Sequence, residues 1–333
     1  MNTKDIRLLY LAHYAPMTLD TPVTTNVKDI VYSEYHFKIF QILKKIFPLT
    51  ISCCNPSIIF HNDLSINYIF SLYNRMPFRN SEVFVSAVAE YYNIPYLGAR
   101  PNIRALAEDK HLAKMMAKHA GVETPIWQIY NVGAELKEPT FDPPYFCKPR
   151  FGAASLGIDE SSACNSWEAA KNKIKNLHNS NIDVIVERQI KGIYHTSPVL
   201  NNFGNYMYLP CIAQYSTVDG GIVTYEQKRK ITSGLTREVV KDQILQAQLQ
   251  SLSKKMYPLI QPLDYTRFDY IVEEDSGIPY FLEFNVCCNL GEYSTVSMAA
   301  KYLDIEYIEL IENITFSSMY RSELIDDTFG KQF

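Results

Sequence analysis

Two strand-like runs joined by a turn, over residues 265–285, constrain the fold of this chain more than any other feature. They read YTRFDYIV and IPYFLEFN with Glu-Asp-Ser-Gly between them, which is typical of a β-hairpin. Side chains alternate between the two faces of a strand, so Arg267 and Asp269 share a face, as do Glu283 and Asn285. If the strands pair in register, these two sets meet.

This hairpin predicts a cation site. Asp269, Glu283 and Asn285 carry hard oxygen ligands, which suit magnesium, an ion usually held by one or two carboxylates together with phosphate oxygens. The cluster therefore indicates a magnesium-nucleotide site rather than a protein core. The alternative is a solvated edge hairpin whose charges bind nothing.

Length and charge narrow the class of protein. The chain has 333 residues, enough for two or three packed lobes, because a single core rarely grows beyond about 250–300 residues. A net charge of -4 and the lack of a basic stripe argue against a nucleic-acid partner. No run approaches the roughly 20 apolar residues that span a bilayer, and the start lacks a signal-peptide pattern. We therefore expect a cytoplasmic protein without a membrane partner.

The seven cysteines of this chain are an odd number and cannot all pair, so we expect no disulfide framework. The pairs Cys53-Cys54 and Cys287-Cys288 are adjacent and lack the two-residue spacing of a zinc site. Reduced and mostly buried thiols are expected. Because Cys287 and Cys288 follow the proposed metal-binding strand, their reactivity is worth testing.

Periodicity along the chain predicts the order of elements. The first hundred residues alternate strand-like and helical runs, which is typical of an α/β lobe. Strands are predicted at 6–12, 49–53, 145–149 and 184–187, and helices at 32–47, 81–92, 102–121, 167–177, 238–256 and 297–302, followed by a helical tail.

Lys148 lies in the buried run YFCKP and must reach a counter-charge, because an unpaired buried ammonium costs several kcal/mol. The next residues, RFGAASLGI, are small and fit a turn that brings backbone N–H groups against an anion. They are not a Walker A loop, since the Gly-Lys-Ser/Thr ending is missing. A basic run at 224–230 contains Lys228 and reads either as a solvated strand edge or as a phosphate contact.

Taken in order, these segments resemble the ATP-grasp superfamily and, within it, the D-alanine:D-alanine ligase-like group. The resemblance runs from about residue 94 to residue 310 and includes VIVERQIKG, RFDYIVEEDSGIPYFLEFN and STVSMAAKYLDIEYIELI. It implies an α/β protein, with α+β topology in the ATP-grasp lobes. Three lobes are expected at 1–101, 102–191 and 192–333, with ATP held between the second and third.

The resemblance also implies roles for individual residues. Lys110, Lys148 and Lys228 match lysines near the phosphates, and Ser155 lies in the matching phosphate loop. Glu187 matches the acid that accepts from the adenine amino group. The remaining nucleotide contacts are backbone groups of Arg188 and Ile190 and the apolar walls Ile271 and Leu282. Asp269, Glu283 and Asn285 match the magnesium ligands.

The implied reaction activates a carboxylate as an acyl phosphate, which an amine then displaces, leaving ADP and phosphate. Its cofactors are ATP and Mg²⁺, with Mn²⁺ as an alternative metal. Arg267 matches the arginine that stabilises the tetrahedral oxyanion, a role for a permanently charged donor. Lys228 is grouped with the catalytic residues, as is Ser294, which matches a serine that binds the second substrate's carboxylate.

Departures from the family pattern bear on the substrate. Ala154, Tyr194 and Asn289 replace a serine, a ribose-binding glutamate and an oxyanion-hole glycine. The first lobe lacks the glutamate and the Gly-Glu-Asp-Gly segment that the ligases use for the first D-alanine. We therefore expect an amino-acid-type substrate in a small-molecule or natural-product pathway. The first substrate is not expected to be D-alanine bound in the usual way. Arg75 and Arg79 could receive an anionic group instead.

Three alternatives remain open at this point. The main hypothesis is an ATP-dependent carboxylate-amine ligase, whose partners are a small-molecule carboxylate and an amine. The acyl phosphate could instead pass to a thiol on a carrier protein. A nucleotide-binding module without catalysis would explain the three replaced residues. A homodimer is common among the resembled ligases.

Overall fold

The computed structural model describes residues 3–25, 29–60, 65–73, 81–152, 155, 157–216 and 234–326. Among residues named above, Arg75, Arg79, Ala154 and Lys228 lie outside these ranges. None of the helices in the described ranges is long and apolar enough to cross a membrane.

The first lobe is a three-stranded parallel sheet with helices packed against it. Its strands are β1 (Leu8–Leu11), β2 (Ile51–Cys53) and β3 (Tyr68–Ser71), in the order β2-β1-β3. Its helices are α1 (Ile30–Ile46) and α2 (Ser81–Tyr91), and short 3₁₀ turns lie at Thr3–Asp5 and Pro56–Phe60. This agrees with the predicted α/β alternation. β1 and β2 are shorter than the strands predicted at 6–12 and 49–53, and β3 was not predicted.

The single helix predicted at 102–121 is wrong. The structure has α3 (Pro101–Glu108) and α4 (Lys110–His119), separated by Asp109 with φ −95° and ψ 100°. The Asp109 carboxylate accepts hydrogen bonds from the backbone N–H groups of His111 and Leu112, which caps α4. The cap satisfies the first donors of α4, so a new helix begins there and Lys110 becomes its first residue.

The second sheet is antiparallel, with strand order β4-β7-β5-β6. Its strands are β4 (Trp127–Tyr130), β5 (Tyr145–Pro149), β6 (Ala163–Cys164) and β7 (Val184–Arg188), with a 3₁₀ turn at Glu160–Ser162 and helix α5 (Trp167–Asn179) against one face. In the register of β5 and β7, Phe146 lies opposite Glu187 and Lys148 lies opposite Ile185. Lys148 and Glu187 are therefore diagonal neighbours on one face.

The third sheet is the largest and carries the predicted hairpin. Its order is β11-β10-β8-β12-β13, with β9 paired to β8. The strands are β8 (Gly192–Asn202), β9 (Asn205–Tyr208), β10 (Ile212–Ser216), β11 (Leu235–Val239), β12 (Tyr265–Glu273) and β13 (Pro279–Asn285). The helices that follow β11 are α6 (Gln243–Met256), α7 (Thr295–Lys301) and α8 (Tyr307–Arg321), with a 3₁₀ turn at Tyr257–Ile260.

The helix predicted at 238–256 begins five residues too early. Glu238 belongs to β11, and α6 begins at Gln243, where the Asp242 carboxylate accepts from the N–H groups of Ile244 and Leu245. A capping aspartate fixes the start of this helix more strongly than the apolar periodicity that precedes it.

Apolar contacts join the first lobe to the large sheet. Tyr10 and Phe40 belong to the same buried cluster as Tyr265 and Ile314. Burying each large apolar side chain contributes about 1.5–3 kcal/mol, so this cluster fixes the first lobe beside the β12–β13 hairpin. A second cluster packs Ala113 of α4 against the large sheet. The architecture confirms the predicted mixed α/β class, while the three domain boundaries stay predictions.

Candidate active site

The two faces of the hairpin meet as the alternation predicts. Arg267 lies opposite Asn285, and Asp269 lies opposite Glu283, just before a bulge between Asp269 and Tyr270. Directly opposed residues project to the same side of a sheet, so all four side chains share one face. The sequence of the hairpin thus places two carboxylates, an amide and a guanidinium together.

Donors from neighbouring groups hold the Asp269 carboxylate. Asp269 Oδ1 accepts from Thr196 Oγ1 at 3.0 Å, and Asp269 Oδ2 accepts from Asn285 Nδ2 at 3.1 Å. The Arg267 guanidinium lies 3.3 Å from Asp269 Oδ2. Thr196 comes from β8, which pairs with β12 in the register Thr196–Asp269. Sequence reasoning missed Thr196, because only this pairing brings it to the site.

The donor set fits a hard divalent cation that also binds phosphate. Asp269 and Glu283 supply two carboxylates, and rotation of the Asn285 amide would present its oxygen to the same point. In the described ranges, no group of three or more His, Cys, Asp or Glu side chains could hold a metal ion. A cation here would therefore complete its shell with water or phosphate oxygens, as magnesium does.

Lys110 connects the hairpin to the loop after β5. Its Nζ donates to the carbonyl of Gly152 and lies 3.9 Å from Glu283 Oε2. The residue is buried although it begins a helix. An ammonium held between a backbone carbonyl and a proposed metal ligand is suited to contact a phosphate that bridges them.

Lys148 and Glu187 form a buried ion pair that includes a second lysine. Glu187 Oε1 lies 2.9 Å from Lys148 Nζ and 3.2 Å from Lys114 Nζ. Lys114 also donates to Thr124 Oγ1 at 2.7 Å and to the Pro125 carbonyl at 3.2 Å. Lys148 thus reaches a counter-charge as expected. Lys114 was missed, although its position four residues after Lys110 places both on one side of α4.

Burial and charge act in opposite directions in this triad. Burial lowers the pKa of Lys114 to about 7, although the Glu187 carboxylate opposes that shift. Burial alone would raise the pKa of Glu187, but the ammonium groups of Lys114 and Lys148 outweigh it, so the pKa is lowered. Glu187 is therefore a charged acceptor.

Of the predicted adenine contacts, Arg188 and Ile190 lie at or just beyond the end of β7, and Ile271 and Leu282 lie on the β12–β13 hairpin. Ile190 and Ile271 are buried, and Leu282 lies partly buried at the hairpin bulge. The Arg188 backbone N–H already donates to the Ile126 carbonyl at 2.9 Å. The Arg188 guanidinium lies 3.3 Å from Glu273 Oε1 and stacks on the ring of Tyr280.

The predicted phosphate loop is described in part. Ser155 adopts φ 59°, a left-handed conformation that favours glycine, and its carbonyl accepts from the Ile158 N–H at 3.1 Å. At the start of this loop, Arg150 binds Asp109. Backbone bonds from Lys110 N to Arg150 O and from Gly152 N to Glu108 O also tie the loop to the α3–α4 junction.

Two of the family departures occupy defined positions. Tyr194 of β8 lies opposite Ile271 of β12. Burial raises the pKa of Tyr194, and the Glu187 and Glu283 carboxylates add to the shift. Asn289 Oδ1 accepts from the Gly291 N–H at 2.6 Å, and its Nδ2 donates to Tyr293 Oη at 2.9 Å. Within the described ranges, Asn289 is not among the residues with positive φ. Its side chain thus rigidifies the turn before α7.

Ser294 caps α7. Its Oγ accepts from the Ser297 N–H at 3.1 Å and lies 3.1 Å from Ser297 Oγ. Thr295 beside it is buried, and its Oγ1 has no hydrogen-bond partner among the described residues. The adjacent cysteines behave as packing residues, because burial raises the pKa of Cys287 and raises that of Cys288 to about 12.

Comparisons with known proteins agree with this geometry. The family model described as D-ala D-ala ligase C-terminus matches residues 117–315, more than half of the chain. A D-alanine–D-alanine ligase of Maridesulfovibrio salexigens is 29% identical over 234 residues, covering 69% of this chain and 74% of that protein. One from Aquifex aeolicus is 27% identical over 232 residues, covering 69% and 76%.

A solved structure resembles almost the whole chain. The D-alanine–D-alanine ligase of Bacillus anthracis complexed with ATP gives a TM-score of 0.71 at 17% identity, covering 96% of this chain and 99% of that one. At this identity the likeness establishes the fold. The fold and site thus define an ATP-grasp protein. The chain belongs to the D-alanine–D-alanine ligase family, as the sequence analysis expected, and the predicted class of enzyme, an ADP-forming carboxylate-amine ligase, is confirmed.

Proposed function

We propose that this protein uses ATP and Mg²⁺ to join the carboxylate of one amino-acid-type substrate to the amine of another. The observation that carries the proposal is the shared face of Arg267, Asp269, Glu283 and Asn285, with Lys110 reaching Glu283. ATP and magnesium are supported by the donor set and by the ATP complex of the Bacillus anthracis ligase.

The proposed reaction has two steps. A substrate carboxylate oxygen attacks the γ-phosphorus of ATP, the bond to ADP breaks, and an acyl phosphate forms. The acceptor amine then attacks the acyl carbon, phosphate leaves, and the amine loses a proton. A cation at Asp269 and Glu283 supplies charge neutralisation between the reacting anions.

The predicted site residues each have a role in this reaction. Lys110 and Lys148 neutralise phosphate oxygens, with Lys228 as a third lysine outside the described ranges. Arg267 stabilises the oxyanion that forms at the acyl carbon, because its Nε is buried without a hydrogen-bond partner among the described residues and could donate there. Ser155 contributes to the phosphate loop, and Ser294 to acceptor binding.

The nucleotide base would lie beside the second sheet. Glu187 would accept from the adenine amino group, because it stays charged, and its partner Lys148 would turn toward the phosphates. Ile190, Ile271 and Leu282 would form the apolar walls around the base, with backbone contacts from the end of β7 near Arg188.

The substrate pair is the finer part of the proposal. The names of the relatives favour D-alanine for both positions. The segment after β1 favours a different first substrate, because it places His13 and Tyr14 beside Tyr73 and His36, with no acidic side chain in the run Ala12–Pro16 to bind an ammonium. We propose that the first substrate is not D-alanine held through its ammonium.

Release of ADP and phosphate with pairs of amino acids tests the proposal. The panel includes D-alanine alone, D-alanine with other acceptors, and carboxylic acids without an amino group as first substrates. Mass spectrometry of the products separates an amide from a thioester on a phosphopantetheine-bearing carrier protein. Turnover of D-alanine alone above all other pairs would contradict the proposed first substrate. Absence of ADP with every pair would contradict the ligase itself.

A further inference from the structure

Arg237 is a second guanidinium beside the catalytic face. It lies on β11 opposite Gln214 of β10. Its Nε donates to Gln214 Oε1 at 3.3 Å, and its Nη1 donates to the Tyr293 carbonyl at 3.4 Å. Both acceptors are neutral and both hydrogen bonds are long. No described carboxylate forms an ion pair with Arg237, so nothing in those ranges neutralises its charge.

A line of hydrogen bonds connects Arg237 to the proposed metal ligands. Gln214 accepts a hydrogen bond from Arg237 through Oε1 and donates through Nε2 to Thr196 Oγ1 at 3.0 Å. Thr196 in turn donates to Asp269. Lys110 approaches the same face from the opposite side, through Glu283. Arg237 is therefore on the side of the metal face away from Lys110. Because Lys110 contacts the phosphates in the proposed reaction, the substrates would lie on the side of Arg237.

The charges of this region favour a bound anion. Burial lowers the pKa of Arg237, and the positive charge of Arg267 adds to the shift, so the two guanidinium groups are close enough to repel. Arg267 has Asp269 as its counter-charge. A cation at Asp269 would share that carboxylate, leaving two guanidinium groups with little to balance them. An anionic substrate group would remove this imbalance.

The anionic substrate group near Arg237 cannot be the carboxylate that becomes the amide. That carboxylate loses its charge in the reaction and already has Arg267 beside it. It must be a carboxylate that the reaction leaves unchanged. Two sources fit: the acceptor's own carboxylate, or a second carboxylate on the donor.

We propose that Arg237 binds a spectator carboxylate of the substrates and so selects acidic substrates over neutral ones. The inference rests on the proposed function and deepens it. Tyr293, whose carbonyl Arg237 contacts, and Tyr32 of the first lobe lie close to it and would form the sides of this subsite.

The test compares substrates that differ only in this charge. With a turned-over pair from the panel, the acceptor acid is compared with its carboxamide, and a dicarboxylic donor with its half-amide. We expect the parent to prefer one acid by about tenfold to hundredfold, the range for hydrogen bonds to charged groups, and Arg237→Gln to abolish that preference through KM. Arg237→Lys should restore part of it. If Arg237→Gln changes the acceptor comparison, the acceptor carries the spectator carboxylate. If it changes the donor comparison, the donor carries it.

A role limited to holding Gln214 and Thr196 predicts another result. Arg237→Gln would then lower kcat equally for acid and amide, which would overturn the inference. The same holds if the parent shows no preference. Lys241→Gln, an exposed cation two residues after β11, serves as the control and should change neither constant.

If no pair is turned over, calorimetric binding of the same acids and amides to the parent with ADP and magnesium replaces the kinetic readout. Binding that requires the carboxylate and is lost in Arg237→Gln would support the subsite while the ligase proposal fails. Equal binding of acid and amide, or no binding of either, would overturn the inference.

Discussion

The Asp109 carboxylate holds the Arg150 guanidinium in a two-point ion pair, with Nε–Oδ1 at 3.0 Å and Nη2–Oδ2 at 2.7 Å. Asp109 immediately precedes Lys110, and Arg150 lies two residues after Lys148. The pair therefore fastens together the two elements that carry the proposed phosphate lysines. Because Asp109 also caps α4, one carboxylate fixes both the start of the helix and its distance from the loop.

A double-mutant cycle on this pair should give a clear coupling energy. Asp109→Asn keeps a capping side chain and removes the charge, and Arg150→Gln removes the other partner. We expect about 1–2 kcal/mol of coupling in urea unfolding, because the pair is bidentate and largely buried. The exposed pair Glu90–Arg100, at 3.9 Å, is the control and should couple by less than about 0.5 kcal/mol. Equal coupling in both cycles would contradict the special position of Asp109.

Glu283→Gln should abolish turnover and leave the fold intact. The change removes a charge from the proposed metal face and little volume, while Asp269 and Asn285 stay in place. Phosphate release against magnesium concentration, with thermal unfolding measured in parallel, checks this. Glu274→Gln is the control and should retain activity. Glu274 lies just beyond the other strand of the hairpin and pairs with exposed Lys191. Unchanged turnover in Glu283→Gln would overturn the metal assignment.

Lys148→Met should weaken nucleotide binding. Its ammonium is the group that could exchange Glu187 for a phosphate, because Lys114 stays on Glu187 when Lys148 leaves. Equilibrium binding of a fluorescent ATP analogue measures the change, and a loss of about tenfold or more is expected for one charge-assisted contact. Lys173→Met is the control. It removes a buried lysine of α5 that pairs with Asp159, and it should leave the nucleotide affinity unchanged. Parent-like affinity in Lys148→Met would remove Lys148 from the site.

Thiol labelling separates the cysteine pairs. Cys54 is exposed, whereas Cys288 is buried and its pKa is raised to about 12. A maleimide at pH 7 should therefore modify Cys54 within minutes and spare Cys287 and Cys288 in the folded protein, as peptide mapping would show. Labelling of Cys288 at the rate of Cys54 would mean that the turn before α7 opens. The burial of Cys288 agrees with the sequence-based expectation of mostly buried thiols.

How far the sequence predicts the site depends on which contacts are local. The hairpin fixed its own register through alternation and a short turn, so Arg267, Asp269 and Glu283 could be grouped in advance. Thr196 and Arg237 could not, because their places depend on pairing between strands that are distant in sequence. Thr196 lies 73 residues from Asp269, and Arg237 lies 23 residues from Gln214. Asp109 was misread as a residue within a helix, since periodicity is blind to a carboxylate that caps a second helix.

Stability should rise with pH because of Lys114. Its pKa is about 7 in the folded protein against an ordinary value of 10.5, so between these values the unfolded chain holds a proton that the folded chain lacks. Deprotonation thus favours the folded state as the pH rises through this window. Lys114→Met has no such group. The unfolding free energy of the parent relative to this variant should therefore grow by about 2 kcal/mol from pH 7 to pH 9.

Urea unfolding at pH 7, 8 and 9 measures this difference, and groups common to both proteins cancel. Lys118→Met is the matched control, because Lys118 lies one turn further along α4, stacks on the same Trp127 ring and is exposed. Its difference from the parent should stay constant over this range. A constant difference for Lys114→Met as well would mean that Lys114 keeps its proton when buried, with Glu187 and the Trp127 ring stabilising the charge.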